Sequence, residues 1–468
     1  IGTLPELIES EPNDRVEQAT AISIPATVSG RIWNAEGDAG TDTDLFRFEA
    51  EAGQTWIIET DAARRGSPID TRIEVLDAKG EPVERVLLQA VRDSYLEFRS
   101  VDSSLTQIRI RNWEEMELNQ YLYFGGELLK LFRAPQGPDS GFLTYDIANK
   151  RKCYFDTSAT SHAVYDPCYI VEVHQPGASL VPTGLPTFLL HYANDDDGER
   201  KLGSDSKLTF TAPASGAYLV RVTDVRGAGG DRFAYRLTVR QPQPDFTVKL
   251  TGANPAVTPG GGKNIQLEAD RKDNFDGHIR IEITGLPPGF SASTPVEIQA
   301  GHRSADAVIY AAADAPAPAK ANWSQTKVIA TAEIDGKVMT HEVNSLGKIT
   351  LAAKDAPVVR LEPADLVIAP GKTVSAMVKV ERNGFKGRMR FDVENLPHGV
   401  IVENIGLNGV LVREGESERR ITLTAAGWVP ETTRQAHALS TEPAGHASPP
   451  VNIRVRNPST VAQVPAEK

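Results

Sequence analysis

The chain has 468 residues, 40 % of them apolar, and a formal net charge of −12. That length accommodates about three domains of ~150 residues, and no apolar run approaches the ~20 residues of a membrane-spanning helix. The acidic balance speaks against nucleic acid, whose affinity comes from basic residues neutralising phosphates. It speaks equally against an anionic membrane surface, and suits a solvated acidic surface or one that binds cations. The chain opens at Ile1 with no Met, basic stretch or apolar stretch before it. This is expected either of a secreted protein that has lost a signal peptide or of a piece of a longer chain.

Short alternating runs recur along the chain. They are Leu45-Phe-Arg-Phe48, Thr55-Trp-Ile-Ile-Glu59, Thr71-Arg-Ile-Glu-Val-Leu76, Gln107-Ile-Arg-Ile-Arg111, Lys207-Leu-Thr-Phe-Thr211, Tyr218-Leu-Val-Arg-Val222 and Ala234-Tyr-Arg-Leu-Thr-Val239. Each is bounded by Gly, Pro, Asp or Asn, which predicts antiparallel sheet with one face buried. No long helical period competes with them. Between about residues 91 and 185 the chain concentrates its aromatic residues, among them Trp113, Tyr121, Tyr123, Phe124, Phe132, Phe142, Tyr145, Tyr154, Phe155, Tyr165 and Tyr169. Two readings stand. Exposed rings on a long insertion would stack on sugars or fill a protein interface, with Trp113, Tyr121, Tyr123, Phe132 and Tyr145 as the candidate partner-binding residues. Buried, the same rings would form the core of an extra subdomain. The only two cysteines, Cys153 and Cys168, lie in this stretch, and a disulfide between them is expected in an oxidising compartment.

Two connectors divide the remainder: Gln241-Pro-Gln-Pro244 and Ala353-Lys-Asp-Ala-Pro357. An internal repeat lies beyond the first. Gly277-His-Ile-Arg-Ile-Glu-Ile-Thr-Gly-Leu-Pro-Pro-Gly289 matches Gly387-Arg-Met-Arg-Phe-Asp-Val-Glu-Asn-Leu-Pro-His-Gly399 at an offset of 110 residues (387 − 277). A repeat of about 100 residues built from short strands has the size of an immunoglobulin-like sandwich. The expected domains are therefore 1–242 with an insertion at about 91–185, 245–354, 358–456, and a tail or linker over 457–468.

The search for catalytic motifs leaves none. Gly137-Pro-Asp-Ser-Gly141 has Pro138 where a serine-protease nucleophile segment needs Gly, and no matching His segment precedes it. His341-Glu342 starts a zinc-protease pattern whose second ligand position is Ser345. His162, His174 and His191 fit no zinc spacing. Calcium is better served, because hard cations take several oxygen ligands from clustered Asp and Asn side chains. Asp42 and Asp44 form one such cluster, and Asn194-Asp-Asp-Asp-Gly198 another. Asx turns are the alternative for both.

The first 240 residues carry a resemblance. Glu9-Ser-Glu-Pro-Asn-Asp14, Gly40-Thr-Asp-Thr-Asp-Leu-Phe-Arg-Phe48, Ala52-Gly53, Gly66-Ser-Pro-Ile-Asp70, Ile73-Glu-Val-Leu-Asp-Ala-Lys-Gly80 and Ser206-Lys-Leu-Thr-Phe-Thr-Ala-Pro-Ala-Ser-Gly216 stand in this order. Together they resemble the bacterial pre-peptidase C-terminal domain over about residues 5–90 and 186–240. The resemblance implies a jelly-roll-like β-sandwich on secreted bacterial proteins, non-catalytic, assisting secretion, attachment or substrate binding. Glu11 and Asn13 match the family's acidic N-terminal segment, which in some relatives contributes to a calcium site. The expected calcium ligands are accordingly drawn from Glu11, Asn13, Asp42, Asp44, Asp195 and Asp197. The fold expected for the whole chain is all-β: a jelly-roll-like sandwich with an inserted subdomain, then two immunoglobulin-like sandwiches. The expected role is a non-catalytic extracytoplasmic module that positions or anchors a larger secreted or surface protein or assembly. Its expected partner is a protein or polysaccharide at the cell surface. The alternatives are a binding module acting through the aromatic insertion, and a hydrolase with an unrecognised site.

Overall fold

The computed structural model describes residues 4–33, 42–135, 140–403 and 409–457. Gly40, the Gly137–Asp139 part of the protease-like motif and the tail from Pro458 lie outside the described residues. Among the described residues nearly all regular structure is strand, with one helical turn at Lys320–Trp323 and three 3-10 turns. No helix among them is long and apolar enough to cross a membrane, which says nothing of a β-barrel. The described residues divide into two compact units, up to Gln243 and from Pro244.

The first unit begins with β1 (Glu6–Ile8), β2 (Thr20–Ala21), β3 (Ala26–Arg31), β4 (Asp44–Ala50), β5 (Thr55–Asp61) and β6 (Thr71–Asp77). An insertion follows as β7 (Glu84–Tyr95), β8 (Gln107–Ile108), β9 (Tyr121–Phe124), β10 (Glu127–Arg133), β11 (Phe142–Thr144), β12 (Asp146–Ile147), β13 (Lys150–Arg151), β14 (Pro167–His174) and β15 (Thr187–His191). The unit closes with β16 (Ala193–Asn194), β17 (Lys207–Thr211), β18 (Gly216–Asp224) and β19 (Ala234–Arg240).

Two five-stranded sheets, β1-β3-β19-β5-β17 and β16-β6-β18-β4-β2, make a jelly-roll-like sandwich. Alternation decides which side chains fill it. Phe46, Phe48, Ile58, Ile73, Val75, Phe210, Val220, Val222, Leu237 and Val239 point inward from both sheets and form one buried cluster. Phe48 and Phe210 meet edge to face at 6.0 Å. Truncating either ring to Ala would cost about 3–5 kcal/mol.

The insertion is a seven-stranded sheet in the order β15-β7-β14-β9-β10-β11-β8. Its need for cores on both faces explains the aromatic concentration. Leu96, Ile108, Leu122, Phe124, Leu129, Leu131 and Phe142 fill one face, with Trp113 packed against them. Tyr121, Tyr123, Tyr154, Phe155, Tyr169 and Phe188 pack on the other, over Val86, Leu88 and Val171. Tyr145 is buried, its hydroxyl donating to Asn119 at 2.7 Å. Phe132 is half-buried, with its ring 5.0 Å from that of Tyr145. The five candidate partner-binding rings are thus built into the packing of the insertion.

The expected disulfide is absent: Cys153 and Cys168 are both free, buried thiols. Cys153 Sγ is turned to Glu127 Oε2 at 3.7 Å. Cys168 lies on β14 opposite Phe124 and Ser94. Burial pushes both thiols up, Cys168 to about 12.

The second unit holds two immunoglobulin-like sandwiches. In the first, Asp245–Thr251, Gly262–Lys272, Ser304–Ala311 and Phe290–Ala292 form one sheet. Val296–Ile298, Ile279–Thr284, Lys327–Ile334 and Lys337–Glu342 form the other. In the second, Val358–Glu362, Thr373–Glu381, Glu418–Ala425 and Val400–Val402 correspond to the first of these sheets. The sequence repeat is a structural repeat at its corners. Arg271 donates to the Gly277 carbonyl at 2.5 Å, and Arg382 to the Gly387 carbonyl at 2.6 Å. Phe275 and Phe385 each press against the glycine two residues on, leaving no room for a Cβ there. Asp273–Gly277 in the first copy and Asn383–Gly387 in the second are therefore equivalent corners. The two sandwiches share a sheet through the pairing of Gly262 with Ala447, beside which His437 Nε2 meets Asn264 Oδ1 at 2.8 Å.

Candidate metal centre

The N-terminal segment links the edges of both sheets of the first sandwich. β1 pairs in parallel with β3 (Glu6 opposite Thr27, Ile8 opposite Ser29). β2 pairs in parallel with β4 (Thr20 opposite Phe46). The residues between them carry Glu9, Glu11, Asn13 and Asp14 across the end of the sandwich, where β4 begins at Asp44. Backbone hydrogen bonds fix that course. Glu9 N donates to Ser29 O at 3.1 Å, and Leu45 N donates to Asn13 O at 3.2 Å.

Two overlapping carboxylate groups result. Glu9, Glu11 and Asp44 bring ligand oxygens within 4.8 Å of one another, and so do Glu11, Asp14 and Asp42. Glu11 belongs to both. Each carboxylate is also held by a donor that leaves capacity for a cation. Glu9 Oε1 accepts from Arg31 N at 2.7 Å, Glu11 Oε2 from Asn13 N at 3.0 Å, and Asp14 Oδ1 from Thr43 N at 3.3 Å. Asp42 accepts from Trp33 N, and Asp44 from the Tyr235 hydroxyl.

The electrostatics are those of carboxylates short of a counter-charge. Burial, with Glu9 close by, pushes Asp44 up to about 9. Burial also raises Glu9 to about 7 and Asp42 to about 6, with neighbouring carboxylates adding to each. Asp44 Oδ1 and both side-chain amide atoms of Asn13 are fully buried without a hydrogen-bond partner. Orphaned buried polar atoms each cost about 1–3 kcal/mol, and a cation would satisfy the two oxygens among them, Asp44 Oδ1 and Asn13 Oδ1. The donor set is all oxygen, with no Cys or His in either group. That suits Ca²⁺, which takes 6–8 oxygens at about 2.3–2.6 Å in flexible geometry.

Three of the expected ligands, Glu11, Asp42 and Asp44, stand in these groups at one end of the sandwich, and Asn13 is buried in the segment between Glu11 and Asp14. Glu9 and Asp14 join them, unexpected as ligands although both stand in the same acidic segment. Asp195 and Asp197 join neither group among the described residues. Asp197 accepts from the backbone N–H groups of Glu199 (3.0 Å), Lys201 (2.8 Å) and Leu202 (3.2 Å), which is the work of a turn. Asp195 accepts from the Ser158 hydroxyl.

The histidines of the insertion do not gather either. His162 is buried against Glu127, its Nε2 2.6 Å from Oε1, and stacks on Phe124. Arg151, fully buried, donates to the same Glu127 oxygen at 2.9 Å. This network anchors the core of the insertion. In the second unit His341 lies 2.7 Å from Asp245 rather than near a second metal ligand.

No protein-family model matches the chain, and no curated protein matches it. Solved structures resemble parts of it weakly. A protein of unknown function from Porphyromonas gingivalis W83 is 10 % identical over 45 % of this chain and 99 % of its own, at a TM-score of 0.18. The D0-D1 domain of Intimin is 13 % identical over 44 % of this chain and 97 % of its own, at 0.17. Fibronectin(III)-like modules of Clostridium thermocellum CbhA are 16 % identical over 45 % of this chain and 94 % of their own, at 0.13. At such identities and scores none of them bears on what this chain does.

Proposed function

We propose that the chain is a non-catalytic, extracytoplasmic structural and interaction module. In this reading a calcium-bound jelly-roll-like sandwich and two immunoglobulin-like sandwiches position or anchor a larger secreted or surface protein or assembly. The observation that carries the reading is that two buried side-chain oxygens, Asn13 Oδ1 and Asp44 Oδ1, have no hydrogen-bond partner beside a convergence of five carboxylates from two stretches of chain. Carboxylates gathered this closely repel one another, so the arrangement is expected to gain stability when a cation joins it. With one, it staples the N-terminal segment to both sheets, a mechanical rather than a chemical role. The order of motifs that resembles the pre-peptidase C-terminal domain supports the same reading.

The test is thermal unfolding of the full chain in calcium and in chelator. A site that binds only the folded state stabilises it by about 2.7 kcal/mol when free calcium is a hundredfold above Kd. The first unit is expected to melt higher in calcium, with the second unit unmoved. Identical melting in both conditions would remove the cation from the account.

A further inference from the structure

We propose that the cleft between the insertion and the sandwich of the first unit binds a short neutral saccharide. The cleft has a volume of about 460 Å³, within the ~300–1,000 Å³ of small-ligand sites. Its walls come from both parts of the unit, and its polar groups belong to none of the networks that build the metal centre.

One wall is the tip of the β9–β10 hairpin, Gly125 and Gly126, both at positive φ (56° and 103°). A Cβ on Gly125 would come 2.8 Å from His162 Cε1, so the tip is bare backbone seated on a ring. That ring is itself fixed, by Glu127 at 2.6 Å and by stacking on Phe124 at 3.5 Å. The tip is therefore preorganised, a property that lowers the entropy lost on binding.

A second wall carries Phe155. Phe155 and Asp156 both sit in the left-handed region, at φ 54° and 51°, which a bulky side chain rarely adopts. The surroundings hold them there. Arg85 Nη1 donates to Phe155 O and to Asp156 Oδ2, each at 2.6 Å, and Thr209 N donates to Asp156 Oδ2 at 2.8 Å. Strain that the surroundings enforce in this way clusters at ligand sites.

The third wall brings His191 and Asp195 beside Ser158, whose hydroxyl donates to Asp195. Arg72 completes the lining and is paired with Glu74 at 3.2 Å. The lining therefore holds no uncompensated positive charge, which disfavours phosphates and polyanions. It offers an aromatic side chain, a carboxylate acceptor, a guanidinium donor, an imidazole, and a serine oxygen that accepts while its proton is given to Asp195. A pyranose presents the complement: a C–H face for the ring, and a rim of hydroxyls that donate and accept.

Isothermal titration of the full chain with maltose, cellobiose and N,N′-diacetylchitobiose, at constant calcium and to about 10 mM sugar, registers affinities down to the millimolar range. At least one disaccharide is expected to bind saturably. Asp195→Asn and His191→Ala, both at partly exposed positions, are each expected to weaken it about tenfold, the effect of losing one hydrogen bond, without changing the melting temperature. Absence of binding by all three sugars would overturn the proposal, as would binding that neither substitution alters.

Discussion

Asp44 and Tyr235 tie the two sheets of the first sandwich together: the carboxylate opens β4 of one sheet, and the phenol that donates to it stands on β19 of the other. The same hydroxyl lies 3.4 Å from Glu9, so one buried phenol stands within reach of two carboxylates of the candidate metal centre. Burial and those two carboxylates push Tyr235 itself well above the usual phenol range, keeping it a donor.

Gly30 is the residue that this packing cannot spare. It lies opposite Tyr235 in the β3–β19 ladder, and a Cβ there would be driven into the Tyr235 hydroxyl and Glu9 Oε2. Gly30→Ala is expected to destabilise the first unit by about 1–3 kcal/mol, as overpacking does, and to weaken calcium binding as well. Denaturant unfolding and calcium titration of the variant check the two effects. Parent-like stability would mean that Glu9 and Tyr235 are free to move apart.

Glu127→Gln tests the buried network of the insertion. Arg151 and Glu127 are both fully buried, and the substitution leaves the guanidinium without its counter-charge. Breaking one half of a buried ion pair costs about 3–5 kcal/mol. Denaturant unfolding of the first unit is expected to show a loss of that size. A loss below about 1 kcal/mol would show that the backbone carbonyls of Asp102, Leu105 and Thr160, which Arg151 also donates to, suffice alone.

The cysteines give a simple chemical readout. Two buried free thiols, both pushed up by burial, are expected to resist alkylation in the native protein and to react fully once it is denatured without reductant. Intact-mass measurement counts the adducts. Denatured, unreduced protein that takes up no alkylating reagent would establish the disulfide expected from the sequence.

The junction of the two immunoglobulin-like sandwiches is expected to weaken in acid. His437 is buried, and burial pushes it down to about 3. Around it stand Asn264, which it contacts, and Asp306, which Asn264 Nδ2 reaches at 2.7 Å. A histidine whose folded value lies below its unfolded value of about 6.5 contributes stability that is complete above pH 6.5. That stability is lost as pH falls from there towards 3, at about 1.4 kcal/mol per pH unit. His437→Gln removes the titration and keeps a polar side chain at the junction. The difference in unfolding free energy between parent and variant is expected to change with that slope between pH 6 and 4; a constant difference would exclude His437 as the cause.

Strand period and repeat spacing made the all-β plan legible, because alternation at Ile279, Ile281 and Ile283 reads the same in sequence and in burial. The clustering of carboxylates was partly legible too, because Glu11, Asp42 and Asp44 stand in acidic runs of the sequence. Glu9 was not, because its role depends on the parallel pairing of β1 with β3, a long-range register that local pattern does not encode. Asp197 misled for the opposite reason. A run of Asp before Gly serves a turn as well as it serves a cation, and only the backbone donors of Glu199, Lys201 and Leu202 decide between them. The insertion aromatics have the same ambiguity, since a ring that stacks on a ligand and a ring that fills a core are one residue type.

Calcium titration of the chelator-stripped full chain by isothermal calorimetry tests the central claim most directly. Saturable binding is expected, with up to one ion for each of the two carboxylate groups. It should be abolished by Asp42→Asn with Asp44→Asn, and unchanged by Asp195→Asn with Asp197→Asn. No binding heat and no calcium retained after dialysis, or equal binding by the Asp42/Asp44 variant, would contradict the account.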